Sequence, residues 1–159
     1  MENGDIGNEI VPRLFIGNMN TARNKMFFTQ NHITAVLNLT PDVPNYFASP
    51  NSDIEYMRIS VNDSLKQEDF SKMYKHFPCI VNFIIKNHYL ENRAVLVHCH
   101  AGAQRSAAAV AAYLMRVHGT PLKQTVDFMV SKRPLVFGGG RSINFKPSLD
   151  AYYADIVSK

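Results

Sequence analysis

A chain of 159 residues that is 46% hydrophobic and 19% charged can bury a core without metal or disulfide support, so one domain over residues 1–159 is expected. No apolar stretch approaches the roughly 18 residues a membrane helix needs, which argues against a membrane partner. The formal net charge of +4 suits anionic partners, yet the lysines and arginines are scattered, which argues for mild steering of anionic substrates and against nucleic acid as the leading partner.

The polar start MENGDIGNEI has no secretory signal character and the end DIVSK no lipidation motif, so an intracellular, cytoplasmic location is the expectation. LFIG (14–17) reads as a short strand and TARNKMFFTQN (21–31) as a helix with Thr21 as N-cap. A buried strand follows over 34–40, then a proline-rich loop, then a strand over 54–61 and a polar connection, NDSLKQED. From about 69 to 87 the apolar positions, among them Phe70, Met73, Tyr74, Phe77, Val81 and Ile84, recur at three and four, the period of an amphipathic helix, with Pro78 as a possible kink. AVLVH (94–98) is nearly all apolar, as in a central strand covered on both faces. Helices are expected over 106–118 with Gly119 as C-cap, from Pro121 to about 131, and over 148–157. Strands alternating with helices indicate the α/β class, with a mostly parallel central sheet flanked by helices, although the strand order is not derivable.

The chemistry concentrates in HCHAGAQRS (98–106), which joins the end of the central strand to a helix start, the place where open α/β sheets bind ligands. Backbone N–H groups from His100 to Arg105 can form an anion cradle, and the helix start adds partial positive charge. Gly102 permits the bend, and the Arg105 fork matches two phosphate oxygens as a lysine could not. His100, Ala101, Gly102, Ala103, Gln104 and Arg105 are therefore the substrate-binding candidates for a phosphate monoester, although the side chains of His100 and Gln104 could equally face solvent.

Cys99 is the candidate nucleophile, because donors that hold phosphate also favour a thiolate; attack on phosphorus would give a phosphocysteine. Ser106 can donate its hydroxyl to the departing sulfur. The leaving group needs a proton from a carboxylic acid on a separate loop, for which Asp63 is chosen, with Glu68 and Asp69 near enough to compete. Cys79 and the aromatic set Phe70, Tyr74 and Phe77 are expected in the core, with redox pairing of Cys79 and Cys99 a lesser alternative. His32, His76, His88, His118 and Asp127 are expected on helix surfaces or loops, since no spacing gives a metal set. The Gly138–Gly140 run lacks the lysine of a nucleotide loop.

VHCHAGAQRS resembles the His-Cys-x5-Arg-Ser/Thr signature of the protein tyrosine phosphatase superfamily, in the form of its compact dual-specificity branch, which includes poxvirus-type enzymes. LFIGNMNTA, ITAVLNLT, AAYLM and SKRP extend the likeness over most of the chain. The resemblance implies Cys99 as nucleophile, Arg105 as phosphate clamp, Asp63 as general acid, Ser106 as the aid to thiolate departure and His98 as a tuner of the thiol. It also implies no metal, no organic cofactor and phosphorylated proteins as partners, dephosphorylated on tyrosine and on serine or threonine. The chain departs from the pattern at RSAA, where many relatives carry Arg-Ser-Gly or Arg-Ser-Pro, and at GGGRSINF, where they show Pro-Asn-x-Gly-Phe. Relatives with this loop also act on phosphoinositides and RNA 5′ ends, so these stay open as alternatives, as does an inactive phosphate-binding module. Against the first two, positions 100–104 hold no lysine, and the loop is not the Cys-Thr-His-Gly-x-Asn-Arg-Thr form. With about ten residues ahead of the strand at 14–17, no dimer is assumed.

Overall fold

The computed structural model describes residues 5–158. Five strands form one sheet in the order β1-β2-β5-β3-β4: β1 (Asn8–Val11), β2 (Leu14–Gly17), β3 (Ile33–Asn38), β4 (Glu55–Arg58) and β5 (Ala94–His98). β1 runs antiparallel to β2, and the other pairings are parallel. The mostly parallel sheet expected from the sequence is therefore present, with the apolar AVLVH run at its centre. β1 was not expected: it is a short edge strand in which only Ile10 is buried, so its alternation is too brief to read.

Side chains of the central strands alternate between two cores. Leu14, Ile16, Ala35, Leu37, Val95 and Val97 face the larger cluster, built with helices α2 (Gln67–Ile84), α3 (Arg105–His118), α4 (Leu122–Lys132) and α6 (Lys146–Val157). Phe15, Val36 and Leu96 face the smaller one, with Phe27 and Phe28 of α1 (Lys25–Asn31). Helix α3 is buried on every side from Arg105 to Met115, and its alanines at 107–109, 111 and 112 let neighbours approach closely. Gly119 ends it at φ 70°, donating its N–H to the Met115 carbonyl, as its capping role requires. A further short turn, α5 (Phe137–Gly140), precedes α6.

Several expectations are corrected. Thr21 does not cap α1; it sits in a preceding 3-10 turn, and Asn24 caps the helix by accepting from Phe27 N–H at 3.1 Å. The strand expected over 54–61 is ordered as β4 only to Arg58. Helix α2 runs unbroken through Pro78 and passes into a π-type turn at Ile85–Leu90. Cys79 is exposed rather than core, because its position on α2 falls outside the stripe of Met73, Phe77, Ile80 and Ile84. Tyr74 is likewise exposed, its hydroxyl donating to Asp155 Oδ2 at 2.6 Å, while Phe77 is fully buried. His88 is buried rather than superficial: Nε2 lies 2.8 Å from the Pro12 carbonyl oxygen and Nδ1 2.8 Å from the Tyr113 hydroxyl, tying the π-type turn to the β1–β2 hairpin and to α3.

Candidate active site

Because β2, β5, β3 and β4 are parallel, the loops that follow them leave from one edge of the sheet. That edge gathers Gly17 at the end of β2 and Met19 after it, Asp42 after β3, Asp63 beyond β4, and the 99–104 loop after β5. The loop is held from outside through its carbonyls. His100 O accepts from Met19 N–H at 2.9 Å, Gly102 O from Arg133 Nε at 2.9 Å and Ala103 O from Phe137 N–H at 2.9 Å. In a trans peptide the N–H points opposite to the C=O, so these bonds turn the N–H groups of Ala101, Ala103 and Gln104 to the inner face. The free N–H groups at the start of α3 add to the same concavity.

Gly102 makes this bend possible at φ 66°, in a space too small for any side chain. Arg133, which the sequence reading missed, is fully buried behind it: Nη1 donates to Asp5 Oδ1 at 2.9 Å and to Asn8 Oδ1 at 2.7 Å, and Nη2 to Asp5 Oδ2 at 2.6 Å. Burial raises the Asp5 carboxyl, but hydrogen bonds from Arg133 and the Gly7 N–H outweigh it and leave the group below its ordinary range.

Cys99 is buried, with Sγ 3.2 Å from the Ser106 hydroxyl at the start of α3. Arg105 is buried too, and Nη1 donates to the Val61 carbonyl at 2.7 Å, which fixes the guanidinium and ties the Cys99 loop to the segment after β4. His98 is almost wholly enclosed, Nδ1 has no hydrogen-bond partner among the described residues, and burial pushes the imidazole down to about 4. Any influence of His98 on the thiol is thus exerted by a neutral ring. Cys99 and the exposed Cys79 stand in different environments, and nothing in the structure links them. No group of three His, Cys, Asp or Glu among the described residues could hold a metal ion.

The rim separates the acid candidates. Asp63 is exposed, and both its oxygens accept from Asn144 Nδ2, at 3.0 and 3.2 Å. Asp69 is buried and committed to Ser64, accepting from its N–H at 3.0 Å and from its hydroxyl, so it caps the loop and is not free to reach a substrate. Glu68 lies in the first turn of α2, exposed. The side chain of Gln104 turns to the rim: Nε2 donates to Ser142 O at 2.7 Å, and Oε1 accepts from Asn144 N–H at 3.0 Å. His100 Nε2 is 2.7 Å from Asp42 Oδ1, and that hydrogen bond holds the Asp42 carboxyl below the usual range. Asn144 and Asp42 carried no signal of their own in the sequence.

The family profile described as the dual specificity phosphatase catalytic domain matches residues 14–155. The dual specificity protein phosphatase Mpk3 of Drosophila melanogaster is 35% identical over 127 residues, covering 79% of this chain and 29% of that protein. Dual specificity protein phosphatase 18 of Homo sapiens is 34% identical over 128 residues, covering 80% of this chain and 64% of that protein. The chain therefore spans less than two thirds of the length of these relatives. The fold matches the crystal structure of human DUSP28 with a TM-score of 0.77 at 22% identity, covering 98% of this chain and 97% of that one. It matches DUSP15 with a TM-score of 0.73 at 25% identity, again covering 98% and 97%. The active-site loop, the sheet edge that carries it and the match over nearly the whole chain agree, and the chain belongs to the dual specificity phosphatase catalytic-domain family.

Proposed function

We propose that the protein hydrolyses phosphate monoesters on phosphorylated proteins, at tyrosine and at serine or threonine, through a phosphocysteine. The observation that carries this reading is the loop whose His100, Gly102 and Ala103 carbonyls are tied outward, with Ser106 at the Cys99 sulfur and Arg105 fixed beside it. Donors preset for an anion stabilise the charge that grows on the equatorial oxygens without reorganising during the reaction.

In the first step the Cys99 thiolate attacks phosphorus in line, the P–O bond to the leaving oxygen breaks, and that oxygen takes the bond's electron pair and a proton from Asp63. In the second step the Asp63 carboxylate takes a proton from water as the water oxygen bonds to phosphorus. The P–S bond breaks with its electron pair returning to sulfur, and the Ser106 hydroxyl hydrogen-bonds the departing thiolate. Inorganic phosphate is the product. No lysine stands among residues 100–104 to hold the additional phosphates of an inositol lipid, and phosphoprotein is the partner class that the family supports.

The test is phosphate release from para-nitrophenyl phosphate and from phosphotyrosine and phosphothreonine peptides, with a metal chelator present. Turnover of both peptides, abolished in Cys99→Ser and reduced about 100-fold or more in Arg105→Lys, is the expected result. Hydrolysis of the aryl ester alone would overturn the protein-substrate reading, and binding without turnover would overturn the enzyme reading.

A further inference from the structure

The segment after α4 builds one edge of the site in an unusual way. Phe137, Gly138, Gly139 and Gly140 all take left-handed φ values, from 55° to 94°, and Phe137 does so while fully buried. The turn is pinned at both ends: Phe137 N–H donates to the Ala103 carbonyl of the active-site loop, and Ser142 N–H donates back to the Phe137 carbonyl at 3.0 Å. A non-glycine residue in this region costs free energy, which the surrounding bonds must offset. The turn delivers Ser142 and Asn144 to Gln104, whose amide grips the Ser142 carbonyl with one end and the Asn144 N–H with the other. The Asn144 side chain then reaches across to both oxygens of Asp63.

Asp63 lies on a segment without regular structure, between β4 and α2. That segment is anchored before Asp63, where Arg105 holds the Val61 carbonyl, and after it, where Asp69 holds Ser64. Neither anchor touches the carboxyl group itself. We infer that Asn144, fixed by Gln104 and the left-handed glycine turn, is the positioning residue that aims the Asp63 carboxyl at the leaving oxygen. The inference rests on the reading of Asp63 as proton donor. It suits both protonation states: the carboxylic acid keeps one oxygen to accept from Asn144 while the other presents its proton, and the carboxylate accepts through either.

A misaimed acid costs most where the leaving oxygen is most basic, since a weakly basic leaving group departs with little help. The experiment measures kcat and KM for para-nitrophenyl phosphate and for phenyl phosphate, whose leaving group is much more basic, in wild type, Asn144→Ala, Asn144→Ser, Asp63→Asn and the Asp63→Asn/Asn144→Ala double variant. Asn144→Ser retains the backbone bond to Gln104 with a side chain too short to span to Asp63, and thermal unfolding of each variant identifies any that is not folded.

The expected loss in kcat for Asn144→Ala and Asn144→Ser is within about threefold on the nitrophenyl ester and about tenfold or more on the phenyl ester, with KM little changed and no further loss in the double variant over Asp63→Asn. A leaving-group-dependent loss in Asp63→Asn with none in either Asn144 variant would overturn the positioning role and leave the acid in place. Equal losses on both esters, or a full additional loss in the double variant, would show Asn144 acting on the Cys99 loop through Gln104, which also overturns it. If Asp63→Asn itself lost the same factor on both esters, the assignment of the acid would fail, and the positioning role with it.

Discussion

Gly102 stands at φ 66°, and a Cβ built there would lie 2.6 Å from Arg133 Nη2 and 2.6 Å from the Gly17 carbonyl oxygen. The arginine tip is itself locked by Asp5 and Asn8 and the carbonyl belongs to β2, so neither neighbour can give way cheaply. Gly102→Ala must therefore push the loop inward, onto the face that receives the substrate. The expected outcome is a destabilisation of about 1–3 kcal/mol in urea unfolding and a fall in kcat/KM of at least about 100-fold. Activity within a few-fold of wild type would mean that the loop can carry its donors in another conformation. This glycine was legible in the sequence as the bend between Cys99 and Arg105, whereas its immovable neighbours come from strands and helices far along the chain.

At the scale of elements, Arg133 is the bolt between parts remote in sequence. It leaves the end of α4, crosses behind the Cys99 loop to the Gly102 carbonyl, and meets Asp5 and Asn8 at the β1 edge. Replacing it by methionine keeps volume but leaves the Gly102 carbonyl without its donor and a partly buried carboxylate unpaired. Such a loss costs about 3 kcal/mol, read in urea unfolding, and it should loosen the loop enough to lower affinity for inorganic phosphate. A change below about 0.5 kcal/mol would show the Asp5 pair to be a solvated surface contact. What local pattern specifies was readable along the chain: the apolar run of β5, the largely apolar α3 with its Gly119 cap, and the Cys99–Arg105 loop between them. What depends on which face of a helix meets a neighbour was not. Tyr74 and Cys79 share α2 with true core residues, yet lie outside its buried stripe, and His88 is buried only because a π-type turn carries it against Tyr113. The glycine run, legible as something other than a nucleotide loop and as part of a departure from the family pattern, turns out to place the rim that holds Asp63.

For the whole molecule, two enclosed imidazoles set how folding responds to pH. Burial lowers the proton affinity of His98, to about 4 against 6.5 for a free side chain, and lowers that of His88 in the same direction. Nearby guanidinium groups act in the same sense, Arg58 and Arg105 on His98 and Arg13 on His88. A folded state that binds protons less readily than the unfolded chain is fully stabilised above the unfolded value and loses that stability as the pH falls from about 6.5 toward 4. For His98 the linkage between pH 7 and pH 5 amounts to about 2 kcal/mol, and His88 adds to it. The carboxyl of Asp5, held below its ordinary 3.8, contributes stability that is lost only below that pH, so it leaves this window clear. Urea unfolding at pH 7 and pH 5 should therefore show a drop of at least this size in wild type and a clearly smaller one in His98→Asn, whatever that substitution does to stability at pH 7. An identical drop in the variant would mean that His98 takes up its proton without unfolding the site, and acid loss of activity would then have to arise at the reacting groups rather than in the fold that holds them.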